Sequence, residues 1–337
     1  MSDQTPRVED LVSLYRRAFS EYGVQASWNM RAMDSPTAAD ALASRERCGC
    51  TAAWMDDVWP KRLKASAVPL TKLQSQVLRV LAAQRSPDSY IAGGVALNRE
   101  GPRFSRVIDI FQDSERRLET AAEADAQALA EAGFKVSWRK IKSGKRDAQV
   151  EGLGDRMPLE WVADSAFRFF PAQRDELFGY VLHSVDLAAN KASAAADRRE
   201  PRDVVLLVTI HNNILPLGAV VCAAVGRFPG QSPEEMLSDI ARHSRFDAEE
   251  FRVLATEHPL DVHGLHRQIR SIIEDAERFI GQIPSDAVGY VFLESGKPVQ
   301  PDLAMLNRYQ RHAGAAGGVW PSSQTISSAM LKRYEKP

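Results

Sequence analysis

Cysteine is scarce in this chain. Cys48, Cys50 and Cys222 are three in 337 residues, an odd count that excludes a disulfide framework and points to a reducing compartment. The "CGC" at 48–50 lacks the second ligand pair of a zinc site, so it reads as free thiols. No sign of charge dominates. The net charge of -1 gives no global attraction to nucleic acid or to an anionic membrane, and any such binding must come from a local patch. No apolar run is long enough to cross a bilayer. The longest, "ILPLGAVVCAAVG" at 214–226, reads as a core segment. The polar opening "MSDQTPRVEDL" is no secretory signal, and no internal repeat is present. These absences predict a soluble, cytoplasmic protein with no membrane partner. Its 44% hydrophobic content can supply a substantial core for two domains.

What is present divides into three stretches. Residues 1–66 read as an extension, partly helical, with "VEDLVSLYRRAFSEYG" as an amphipathic helix. Residues 67–170 mix both periodicities. "LTKLQSQVLRVLAAQ" at 70–84 has helical spacing, "SYIAGG" is a short strand ending in a double glycine, and "RVIDIF" is a second strand. On that strand Val107, Asp109 and Phe111 share a face opposite Ile108 and Ile110. "SERRLETAAEADAQALAEAG" has a Ser start and a Gly stop, as a helix should. "FKVSWRKI", "DAQVEG" and "MPLEWVAD" follow as hairpin-linked strands. From 171 to 337 the pattern predicts helices. They include a long one through "RDELFGYVLHSVDLAANKASAAADRR" and one entered at Pro201, with capping boxes at Ser232/Glu235 and Asp247/Glu250. A hairpin about Ser295-Gly296 comes near the end, and "AGAAGG" at 313–318 reads as a flexible loop. The fold class expected is α+β: a mixed sheet with flanking helices, followed by a mainly helical domain.

Five features can carry chemistry. Gly93 and Gly94 end a strand and let backbone N–H groups approach a phosphate, with the Ser105 hydroxyl as a further donor. Asp109 is a carboxylate on the next strand, and a second one two residues away would let the pair share a divalent metal, but that position is Val107. Glu160 on a neighbouring strand can help hold metal or accept a proton, with Asp164 as the alternative. Lys191 on one helix and Asp203 in the first turn of the next can neutralise and orient phosphate, or simply be a solvated lysine and a dipole-complementing acid. "KVSWRKIKSGKR" gathers Lys135, Arg139, Lys140, Lys142, Lys145 and Arg146 about Trp138, which suits a nucleic-acid backbone or a solvated hairpin. His258, His263 and His266 have no acid at metal spacing and read as structural.

The order of these features resembles the AbiEii/AbiGii nucleotidyltransferase-toxin family, of the polymerase-beta-like nucleotidyltransferase superfamily. "YIAGGVALNR", "RFSRVIDIFQD" and "GYVLHSVDLAANKASAAADRREPRDVV" carry the resemblance, which covers roughly residues 70 to 321. It implies that Gly93 and Gly94 form a phosphate turn with Ser105 nearby. Asp109 is then the second aspartate of a metal pair, Lys191 contacts the nucleotide phosphates and Asp203 completes the helical part of the site. Glu160 takes the third carboxylate place. Val107 stands where the family has its first metal-binding aspartate, and Gln112 where a histidine is expected.

The resemblance further implies a toxin that passes NMP from an NTP to a tRNA 3′ end or a protein hydroxyl. Mg²⁺ (or Mn²⁺) is the expected cofactor, and a cognate antitoxin the expected partner. Val107 should weaken the activity, since a branched apolar side chain cannot ligate metal. The alternative is a catalytically inactive binding protein on the same fold.

Overall fold

The computed structural model describes residues 70–98, 103–228, 230–256 and 258–321. The expected extension at 1–66, with Cys48 and Cys50, lies outside them. The described residues up to Trp320 form one compact unit.

The chain enters on helix α1 (Lys72–Ala82), where Thr71 and Gln74 close a capping box and Leu73, Val77, Leu78 and Leu81 form the buried stripe. Strand β1 (Ser89–Ala92) runs into the short helix α2 (Gly93–Leu97). Strand β2 (Ile108–Gln112) and helix α3 (Glu115–Glu131) follow, then β3 (Lys135–Lys142), β4 (Lys145–Gly152) and β5 (Asp155–Ala163). Three short strands come next: β6 (Phe167–Arg168), β7 (Gln173–Asp175) and β8 (Gly179–Val181). The remainder is mainly helical: α4 (Ser184–Asp197), α5 (Pro201–Asn213), α6 (Leu217–Arg227), α7 (Pro233–His243), α8 (Ala248–Phe251) and α9 (Val262–Ile280). A hairpin of β9 (Val291–Glu294) and β10 (Lys297–Val299) takes β11 (Gln310–His312) as a third strand, and β12 (Ala315–Ala316) pairs with β6.

The central sheet is mixed and seven-stranded, in the order β3-β4-β5-β2-β1-β8-β7, with parallel pairs β5/β2 and β1/β8. Its two faces do different things. Ile108, Ile110, Leu159 and Trp161 point to one side, where α1 and α3 cover them. Within that layer Asp125 is buried and takes hydrogen bonds from Trp161 Nε1 at 2.7 Å and from Arg85. Tyr90, Ala92 and Phe111 point to the other side, toward the helical layer built on the Ala-rich α4 and on α5, α6, α7 and α9. The architecture is thus a mixed sheet with flanking helices, the α+β class expected. No single helix among the described residues is long and apolar enough to cross a membrane. "ILPLGAVVCAAVG" forms most of α6, buried from Leu217 to Ala224, and burial pushes the Cys222 thiol up to about 12.

Both predicted capping boxes form at Ser232/Glu235 and Asp247/Glu250. Ser295 and Gly296 both adopt positive φ, as a tight two-residue hairpin turn requires.

The structure corrects three sequence readings. The stretch after 171 does not start as a helix. Asp175 Oδ1 accepts from the Leu177 and Phe178 N–H groups, and Gly179 at φ 71° lets the chain pass Ala82, whose carbonyl oxygen a Cβ would meet at 2.2 Å. β8 is thereby laid beside β1, and the helix begins only at Ser184. The "AGAAGG" segment is no loose loop: Ala315 and Ala316 pair with Arg168 and Phe167. Two of its glycines are required by close packing, since a Cβ on Gly314 would stand 2.4 Å from the Phe167 ring and one on Gly318 2.3 Å from the Phe170 backbone. Finally, β2 starts at Ile108, so Val107 lies just off the strand.

Candidate active site

Alternation along β2 sends Ile108 and Ile110 into the apolar layer and so turns Asp109 to the helical side. β1 lies antiparallel beside it with Ala92 opposite Asp109, so the chain leaves β1 directly over that carboxylate. Gly93 makes this possible. At φ 66° it passes so near that a Cβ would sit 2.1 Å from Asp109 Oδ2. Gly94 is similarly enclosed, its missing Cβ 2.9 Å from Arg103 Nη2 and 3.2 Å from Ser105 Oγ. The double glycine, Ser105 and Asp109 therefore meet at one point. Ser105 Oγ donates to the Val107 carbonyl at 3.0 Å, which shapes the approach to β2.

On the other side of β2, parallel β5 brings Glu160 level with Asp109. β4 brings Asp147 level with Glu160, and Lys145 Nζ bridges the two at 2.6 Å (Glu160 Oε2) and 3.4 Å (Asp147 Oδ1). Among the described residues no donor hydrogen-bonds the Asp109 carboxylate. Burial, and secondly the Glu160 charge, push it up to about 6, while Lys191, Arg202 and Lys145 pull the other way. Among the described residues no three His, Cys, Asp or Glu side chains gather as a metal site.

Helices α4 and α5 supply the opposite wall. Lys191 is buried on α4 and reaches Asp203 Oδ1 at 2.8 Å. Asp203 sits in the first turn of α5, after Pro201, and Arg198 Nε holds its other oxygen at 3.0 Å. Burial pushes the Asp203 carboxyl up, but Lys191 and Arg198 overcome it and hold it below its ordinary value. Burial lowers the Lys191 ammonium, against the opposing pull of Asp203 and, more weakly, Asp109.

Some of the sequence candidates serve other ends. Asp164 is bonded by Arg227 and by Asn190 Nδ2 at 3.4 Å, and it anchors the sheet to α4 and α6. Gln112 donates to Ser89 Oγ at 2.7 Å in the core. His266 packs edge-on against Phe251. In the basic hairpin, Lys135 pairs with Glu151, Arg146 with Glu119, and Trp138 packs on Trp161, leaving Arg139, Lys140 and Lys142 on the open edge of the sheet.

Arg103 escaped the sequence reading. It is 5% exposed, its Nε has no hydrogen-bond partner, and among the described residues no carboxylate pairs with it. Burial, then the nearby Arg202, bring it down to about 10. The "RFS" run and the arginine of "PRD" were the only signals, and nothing local ties either cation to Gly94.

No family model matches this chain, and no curated protein matches it. A solved structure does. MenT4, a nucleotidyltransferase toxin from Mycobacterium tuberculosis H37Rv, is similar to it with a TM-score of 0.46 and 16% identity, over 64% of this chain and 83% of that one. The roles of individual residues rest on their own geometry.

Proposed function

We propose that the chain is a nucleotidyltransferase of the AbiEii/AbiGii type. It is a toxin that passes NMP from an NTP to a tRNA 3′ end or a protein hydroxyl, is held in check by a cognate antitoxin, and is weakened by Val107. One observation supports this reading: Gly93, Asp109 and Glu160 adjoin on one face of the sheet, and the helices packed on that face carry the Lys191–Asp203 pair.

The donor chemistry fits a hard divalent cation. Asp109 and Glu160 offer adjacent carboxylates, and Mg²⁺ takes one or two such ligands and fills the rest with phosphate oxygens and water. Asp109 and Glu160 would hold it, and when bound it would offset charge developing on the phosphoryl oxygens. The chain's own groups do the rest. Gly93 and Gly94 admit phosphates close to the backbone. Arg103 and Lys191 offset the triphosphate charge. Asp203 fixes the Lys191 ammonium in place. Glu160, with Oε2 on Lys145, keeps Oε1 to take the proton of the acceptor hydroxyl. The bond from the α-phosphorus to the acceptor oxygen forms as the bond to pyrophosphate breaks.

A second reading, an inactive binding protein, draws on two observations: Val107 supplies no carboxylate, and Lys145 already neutralises Glu160. Calorimetric titration of Mg²⁺ and NTP into the chain and into Val107→Asp separates the two. Val107 is only half-buried, so the added carboxylate can reach water or metal. The variant should bind nucleotide more tightly in Mg²⁺ and raise NMP transfer. A destabilised variant with no gain in Mg²⁺-dependent binding would reject the enzyme.

A further inference from the structure

Phe111 and Val162 are the next residues along β2 and β5 on the face that carries Asp109 and Glu160. Two residues on a strand is about 7 Å, roughly the reach from an α-phosphate to its base. There they form one wall of an open cavity of about 370 Å³, within the ~300–1,000 Å³ range of small-molecule sites. Phe228, at the end of α6, adds a second aromatic wall, and α4 closes the side with Asn190 and Asp197. The cavity and the Gly94–Arg103 corner thus lie toward opposite ends of β2, with Asp109 between them.

The polar lining is one-sided. The Asn190 amide donates to Asp164, and Gln231 Nε2 donates to Asp239 at 2.9 Å. Asn190 Oδ1 is left buried with no partner, and the exposed Asp197 carboxylate at the rim has no protein partner among the described residues. Arg227, the cation beside this wall, is bound to Asp164 and Asp186. Among the described residues the cavity therefore offers acceptors between apolar walls and no free cation. That excludes phosphate and suits a flat ring that brings N–H donors.

We propose that this cavity is the base pocket of the nucleotide site, and that it selects bases carrying an exocyclic amino group and rejects uracil. The proposal rests on the nucleotidyltransferase reading above and extends it to the choice of substrate. An amino group supplies the donor that Asn190 Oδ1 lacks. Uracil has one N–H between two carbonyls, so donating it to Asn190 Oδ1 sets a carbonyl lone pair against the neighbouring Asp164 and Asp197 carboxylates.

The test titrates Mg²⁺-tripolyphosphate, ATP, CTP, GTP and UTP into the full chain and into Asn190→Ala. UTP should bind at least about tenfold more weakly than the tightest amino-bearing nucleotide, the factor a lost buried hydrogen bond gives. Asn190→Ala should narrow that gap to about threefold, for the same reason. If tripolyphosphate and all four nucleotides bind alike, or if UTP binds tightest, the base pocket is overturned while the phosphate site stands. If neither tripolyphosphate nor any nucleotide binds, the nucleotidyltransferase reading falls and this proposal with it.

Discussion

Asp109 should cost the fold stability, and neutralising it should return that stability. Its carboxyl stands at about 6 against an ordinary 3.8, because burial and the neighbouring Glu160 disfavour its charge. Between those two values the folded chain keeps a proton that the unfolded chain has lost, so stability falls as pH rises through that window. Fully realised, the displacement is worth about 3 kcal/mol at pH 7. Asp109 is only half-buried, and its contact with solvent brings this nearer to about 2 kcal/mol. Asp109→Asn keeps the shape and removes the charge. At pH 7 it should raise the unfolding free energy by about that amount, seen as a Tm gain of roughly 4–8 °C. At pH 4 the native carboxyl is protonated in the fold, so the gain should largely vanish. Urea unfolding of both forms at pH 7 and pH 4 reads the effect directly. The variant should also lose Mg²⁺-dependent nucleotide binding, becoming more stable and less capable at once. No gain at pH 7, or an equal gain at pH 4, would refute the account of Asp109 as a strained carboxylate.

Lys191→Met leaves Asp203 buried with Arg198 alone, and should cost about 3 kcal/mol in urea unfolding; a loss below about 1 kcal/mol would make the pair incidental. Gly93→Ala combines a positive φ with a clash on Asp109 Oδ2, and should cost at least about 2 kcal/mol. Gly133→Ala, also at positive φ but with nothing within 4 Å of the new Cβ, should cost only about 1 kcal/mol. Equal losses by thermal unfolding would remove the case for close approach at Gly93. His183 is held down to about 3 by burial and by His312, so its neutral form contributes stability that is complete above pH 6.5 and lost as pH falls from there toward 3. His183→Asn keeps an acceptor for the Val185 N–H and should flatten the acid slope between pH 6.5 and 4, measured as the change in urea midpoint.

Local chemistry made part of this molecule legible from sequence. The caps at Ser232 and Asp247, the Ser295-Gly296 turn and the stripe on α1 are set by neighbours within a few residues, so pattern alone reveals them. The order of Gly93-Gly94, Asp109, Lys191 and Asp203 was visible too, though not their distances. What tertiary structure decided depends on partners far along the chain. The segment "GYV" is extended because Gly179 slides past Ala82 and Ile91 accepts from Leu182, contacts with no trace in a helical-looking run. Residues 313–318 are ordered by Phe167 and Phe170, about a hundred and fifty positions earlier. Arg103 gains its meaning from Gly94 and Arg202, and Asn190 from the cavity wall that Phe111 completes. Periodicity reports which face of an element is buried. Which element then covers that face, and which polar atom is left without a partner there, follows only from packing the whole chain.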